Sequence, residues 1–211
     1  MPNWCSNSEI IIGSKKEIKK LYKILTENIS SSDRRITNII RSAGFKTIDE
    51  DSVNGLESNR GQIIDDFEMC ADLVNPKIAY ITFASETAWV DIRETWYKIV
   101  KRHAPHCKYL FQSEELGCEH FVTNDKNGQW FRDEFYFYAA VDKKEECPVL
   151  LQDVEFEPYF EKQDMLKFLQ DFFNSSSTDV IALMNKFNLL AEENTFGENN
   201  YFRIYHCELV D

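Results

Sequence analysis

The clearest hydrophobic pattern in the chain spans residues 77–105, KIAYITFASETAWVDIRETWYKIVKRHAP. Residues 78–83 alternate, with Ala79, Ile81 and Phe83 on one parity and Ile78, Tyr80 and Thr82 on the other. Successive side chains of a strand point to opposite faces, so this is a strand with one face toward a core. Asn75-Pro76 before it is turn chemistry. Trp89, Ile92, Trp96, Ile99, Val100 and His103 then recur at helical spacing, with Asp91, Arg93, Glu94, Lys98, Lys101 and Arg102 between them. That is an amphipathic helix. Ser85 or Thr87 is expected to cap it and Pro105 to stop it. Trp89 and Trp96 share the apolar stripe, so both are expected to be buried.

The same unit opens the chain. Residues 8–12 form a short apolar strand broken by Gly13, and Ser14 with Glu17 is a capping box. Ile18, Leu21, Tyr22 and Leu25 make one helical stripe. Residues 29–66 are weakly patterned and read as an insertion, with a short helix at 35–43 and an acidic, Gly- and Asn-containing loop at 44–62 that is expected to be mobile. Residues 68–74 form a strand. After Pro105 come strands at 108–113, 117–123 and 129–141, with Asn127-Gly128 as a hairpin signal before the last. Residues 149–156 read as a strand. Met165, Leu166, Phe168, Leu169, Phe172 and Phe173 mark one helix, and Val180, Ile181, Leu183, Met184 and Phe187 another. Residues 189–191 and 201–210 read as a closing hairpin.

The order strand–helix–insertion–strand–strand–helix–strand places the chain in the α+β class. It predicts a ferredoxin-like sandwich over residues 1–141, an antiparallel sheet with two helices on one side. Residues 142–211 form a helix and hairpin extension. The apolar stripes of its helices are expected to dock on the second face of the sheet, so the extension is not an independent domain.

Composition narrows the class. Sixteen Phe and nine Tyr against seven Gly argue against disorder. No apolar run spans a bilayer and no signal peptide is evident, so a cytoplasmic protein without membrane contact is expected. Six scattered cysteines without a CxxC pair read as reduced thiols. The net charge of −12 is uneven, +5 over residues 1–48 and −17 over the rest. Phosphate contacts need a basic footprint, so the acidic bulk argues against nucleic acid as the partner.

Three segments resemble a known family. The opening Met1-Pro2-Asn3-Trp4-Cys5-Ser6-Asn7, the segment FASETAW at 83–89 and the segment SEELGCEHF at 113–121 are similar to the YubB ferredoxin-like proteins of plasmids, phages and other mobile elements. The family usually continues its Ala-Trp with small residues and prolines, where this chain has Val90-Asp91-Ile92. The resemblance covers roughly residues 1–141. It implies a ferredoxin-like fold and a mobile-element setting, and it carries over no catalytic residue.

The candidate sites are few. Tyr80, facing outward on a central strand, could stack a base or nucleotide, but the first strand offers no second aromatic for a platform. Cys118 and His120 share a strand face if 117–123 is a strand, as a nucleophile–base pair requires. Trp4 at the end of the sheet, with Tyr136 and Tyr138, could line a binding surface. His103, His106 and Cys107 lie at the far end of a hairpin from Cys118, so no metal site is expected, and no cofactor motif is present. The favoured reading is a non-enzymatic accessory or interaction protein whose acidic surface meets a protein partner. An RNA- or nucleotide-binding module around Tyr80 is the second reading, and a hydrolase-like enzyme using Cys118 and His120 the third.

Overall fold

A computed structural model describes residues 3–27, 29, 34–45, 61–152 and 159–211. Their secondary structure is mixed α and β, arranged in two compact units.

The first unit holds residues 1–125 and the last three residues. It contains β1 (Trp4–Ser14), α1 (Lys15–Thr26), α2 (Ile36–Ser42), β2 (Gly61–Ile63), β3 (Glu68–Ala71), β4 (Ile78–Ala88), α3 (Arg93–His103), β5 (Lys108–Glu115) and β6 (His120–Thr123). The strands pair in the order β6-β5-β1-β4-β2, and β3 also pairs with β4. The register puts Ile11 opposite Ile81 on β4 and Tyr109 on β5, so one parity of each strand shares a face. Ile11, Ala79, Ile81, Phe83, Tyr109 and Phe111 on that face form one core with Ile18, Leu21 and Leu25 of α1 and Trp96, Ile99 and Val100 of α3. The α1 stripe and its capping box match the sequence pattern, since Glu17 N donates to Ser14 Oγ at 3.3 Å.

Several elements differ from the sequence reading. Gly13 does not break β1; it lies inside the strand, where a Cβ would fall 2.3 Å from Cys107 Sγ. β4 continues to Ala88, and α3 begins only at Arg93. Ser85 and Thr87 are therefore inward strand residues rather than caps, and the Asp91 carboxylate accepts from Arg93 N instead. Trp89 lies outside α3 at φ 73 and is 49% exposed. Its place on the helical stripe is a coincidence of spacing. Residues 116–118 form a 3-10 turn, so only 120–123 of that stretch is strand. The expected mobile loop falls mostly on residues 46–60, outside the described residues, whereas Gln62 belongs to β2.

The second unit covers residues 126–208. It contains β7 (Phe135–Val141), α4 (Val149–Gln152), β8 (Tyr159–Phe160), α5 (Lys162–Phe173), α6 (Val180–Glu192) and β9 (Asn200–His206), with the sheet order β8-β7-β9. β10 (Glu208–Leu209) then closes the first sheet beside β6. Residues 129–141 were expected to extend the first sheet and end the core at 141. β7 is instead the centre of a separate sheet, and the boundary between units lies at 125/126. The reason is apolar partnership: Phe135 and Phe137 meet Met165, Leu169, Phe187 and Phe202. That core also takes up the stripes of α5 and α6. The turn at Gly128 is real, with φ +55, but β6 pairs with β5 and not with β7. Residues 149–152 are helical rather than strand, and residues 189–191 belong to α6 rather than to a closing hairpin.

Asn200 pins the second unit. Its side chain accepts from Asp142 N at 2.9 Å and Lys143 N at 3.0 Å, and donates to Phe196 O at 2.9 Å and Lys143 O at 3.0 Å. Asn200→Ala is expected to destabilise the unit by about 1–3 kcal/mol, because it removes the partner of a buried Phe196 carbonyl and of three part-buried backbone groups at 142–143. Urea unfolding of the variant checks this, and an unchanged midpoint would show that water replaces the amide. Among the described residues no helix is long and apolar enough to cross a membrane.

Candidate functional site

The three segments that carry the family resemblance meet at one end of the first sheet. The inward parity of β1 runs Cys5, Asn7, Glu9, Ile11. At the Cys5 end it turns polar, opposite Thr87 and Ser85 on β4 and Ser113 on β5. These groups are buried and hydrogen-bonded to each other. Asn7 Nδ2 donates to Thr87 Oγ1 at 3.0 Å and to Ser85 O at 3.2 Å, and Asn7 Oδ1 accepts from Ser113 Oγ at 2.7 Å. Cys5 Sγ lies 2.9 Å from Ser113 Oγ. Thr87 Oγ1 donates to Val90 O at 2.7 Å, which fixes the turn after β4.

His120 joins this cluster at its edge. Its Nε2 lies 3.2 Å from Ser113 Oγ and 3.2 Å from Asp91 Oδ2. Asp91 is nearly fully buried and takes a two-pronged contact from Arg93, both arms at 2.7 Å. Burial alone would raise the Asp91 carboxyl, but the hydrogen bonds from His120 and Arg93 outweigh it and hold the group well below the usual carboxylate range. The Arg93 guanidinium also sits 5.1 Å from the centre of the Phe111 ring.

This resembles the ingredients of a nucleophile–base–acid relay, but the geometry does not make one. A relay needs the two ring nitrogens of the histidine to face different partners. Here a single nitrogen faces both Ser113 and Asp91. The Ser113 proton is committed to Asn7 rather than to the imidazole. The thiols are no better prepared, because the thiolate is the nucleophile. Burial pushes the Cys5 thiol up to about 12 and the Cys107 thiol up to about 11. The Cys118 thiol is raised by its hydrogen bond with Glu115.

The residues expected to pair do not meet as expected. Cys118 lies on the 3-10 turn, exposed, with Asn3 Nδ2 3.7 Å from its sulfur, whereas His120 points into the cluster from β6. The shared strand face assumed for the two does not exist. Tyr80 is half-buried, with Ile12 and Cys70 directly opposite it on the two neighbouring strands. Trp4 is exposed and lies opposite Ala88. Tyr136 and Tyr138 belong to the other unit, on the face of β7 away from its core. Tyr138 packs edge-to-face on Tyr201, and Tyr136 on Tyr159. The cation on that face, Arg203, is paired with Glu192. His103 and His106 bond Ala43 O and Glu17, respectively. Among the described residues no group of three or more His, Cys, Asp or Glu side chains is placed to hold a metal ion.

Sequence reasoning missed Asn7, Ser113 and Asp91. A signal for Ser85 and Thr87 was present, because the inward parity of Ile81 and Phe83 continues through them. Comparison with protein families, with curated proteins and with solved structures finds no match.

Proposed function

We propose that this protein is a non-enzymatic accessory or interaction protein built on a ferredoxin-like core. Two strand–helix units and the antiparallel order β5-β1-β4-β3 support that architecture. The observation that carries the functional reading is the buried cluster at Asn7. Its hydroxyls and amide are spent on one another, its thiol is held protonated, and its histidine lacks relay geometry. Such a network specifies one arrangement of β1, β4 and β5 and fixes the loop after β4. It leaves no activated nucleophile. The acidic surface, with a net charge of −12, suits a protein partner and disfavours a polyphosphate backbone. Six cysteines that form no disulfide fit a reducing compartment, consistent with a cytoplasmic setting. The family resemblance supports a mobile-element context.

Labelling tests the reading. In the folded protein at neutral pH, Ser113 should not react with a fluorophosphonate and Cys5 should not react with iodoacetamide. The exposed Cys118 should react no faster than a free thiol. Rapid, selective modification of Cys5, Ser113 or Cys118 would instead establish an activated nucleophile and remove the non-enzymatic reading.

A further inference from the structure

We infer that the end of the first sheet marked by Trp4 and Trp89 docks a lysine- and arginine-bearing segment of a protein partner; this rests on the interaction reading above and gives it a place and a chemistry. Trp4 begins β1 opposite Ala88, and Trp89 N donates to Asn3 O at 2.9 Å, so both tryptophans stand at the same end of the β1–β4 pair. Trp4 is 48% exposed, Trp89 49% and the adjoining Val90 43%. Indoles are the largest apolar side chains, and exposed clusters of them characterise the centres of protein interfaces.

The backbone holds one of them out. Trp89 sits at φ 73, a left-handed conformation that a bulky residue rarely adopts. Hydrogen bonds on both sides maintain it, from Trp89 N to Asn3 O, from Val90 N to Ala88 O and from Thr87 Oγ1 to Val90 O. The polar cluster beneath thus supports a strained turn that presents the ring. Strain retained by surrounding structure is a recurrent property of binding sites.

Charge selects the occupant. The stretches that meet at this end, residues 3–8, 61–63, 84–91 and 112–120, carry Glu86, Glu114, Glu115 and Glu119 and no lysine or arginine, while Asp91 among them is buried and spent on Arg93. Glu86 and Glu114 flank Ser6 on the face that bears Trp4, and neither is buried. The neighbouring cations are engaged: Arg93 with Asp91, and Arg34 with Asp66 and Ile63 O. Arg35 lies across from Gln62 at the outer edge of this sheet. An indole face attracts an ammonium or guanidinium group, and carboxylates around it steer positive chains inward. A phosphate-bearing ligand would be repelled.

Fluorescein-labelled decalysine, followed by anisotropy on the full chain at low salt, tests the inference, with labelled decaglutamate as the control. Decalysine should bind and decaglutamate should not. Trp4→Ala with Trp89→Ala should weaken binding at least tenfold, and Glu86→Gln with Glu114→Gln several-fold. Trp89→Gly is the decisive variant, because glycine relieves the left-handed φ while removing the ring. It should keep or raise the melting temperature and still lose affinity. Binding that survives the tryptophan changes would place the contact elsewhere on the acidic surface, sinking this site and sparing the interaction reading. Absence of decalysine binding would overturn the inference. Concentration-dependent dimerisation abolished by Trp4→Ala would overturn it too, naming a second copy as the occupant.

Discussion

Replacing Trp96 with alanine is expected to lower the unfolding free energy by about 3–5 kcal/mol, while the same change at Trp89 moves it by less than about 1 kcal/mol. Trp96 is fully buried on α3, packed edge-to-face on Phe83 at 4.8 Å between ring centres and against Tyr109 at 6.4 Å. Removing the indole opens a cavity in the middle of the first core, and the neighbouring rings can collapse into it only in part. Trp89 lies beyond the end of β4 and is half in water, so its truncation opens no core cavity. Trp96→Phe separates packing from polarity. Ring packing on Phe83 and Tyr109 dominates at this site, so phenylalanine, which keeps an aromatic ring there, should recover much of the loss. Urea unfolding of the three variants measures all of this. Equal losses at Trp89 and Trp96 would mean that both rings are buried under the sheet, as the bare helical spacing implies.

Glu9→Gln should remove most of the fall in stability that the native chain shows between pH 5 and pH 8. Glu9 points inward from β1, between Phe83 on β4 and Phe111 on β5. Tyr109 Oη donates to Glu9 Oε1 at 3.2 Å, and Ser85 and Trp96 also favour the charged carboxyl, but burial outweighs them. Burial pushes this carboxyl up to about 8, from an ordinary value of 4.5. Between those values the folded chain holds a proton that the unfolded chain has released. The stabilising contribution is therefore complete below about pH 4.5 and is lost as pH rises toward 8, at up to about 1.4 kcal/mol per pH unit. Glutamine keeps the acceptor for Tyr109 and carries no titrating proton. At pH 8 the variant should exceed the native chain in stability by a few kcal/mol, with a much smaller difference at pH 5. Asp91 does not obscure this window. Its carboxyl is held low, so its contribution is present above about pH 4 and lost only in stronger acid. Parallel stability–pH curves for the two proteins would show that Glu9 is ionised in the fold.

The candidate site shows how much of this protein is legible along the chain. Cys5, Asn7 and Glu9 alternate with exposed residues in the fold, but the sequence pattern starts the strand only at Ser8 and leaves Cys5 and Asn7 outside it. Nothing local said that the strand ran from Trp4, because polar residues at inward positions look like loop until their partners are known. Ser113 and Asn7 lie far apart in sequence and come within 2.7 Å only because β5 pairs with β1. Cys118 and His120 illustrate the converse. Two residues apart, they seemed poised on one face, and a single 3-10 turn separates their roles.

The sequence by itself determined the α+β class, the helices α1, α5 and α6 to within a few residues, the body and end of α3, the parity of β4, and the capping of α1 by Ser14. Each of these rests on contacts within one turn or one pleat, so the information is contained in neighbouring residues. The tertiary structure alone decided that β7 leads a second sheet, that Trp96 is buried and Trp89 is not, and that the polar parity of three strands closes on itself. Alternation states that a strand has a buried face but not which core buries it. That choice depends on which distant apolar surfaces fit, and Phe135 and Phe137 fit Phe187 and Phe202.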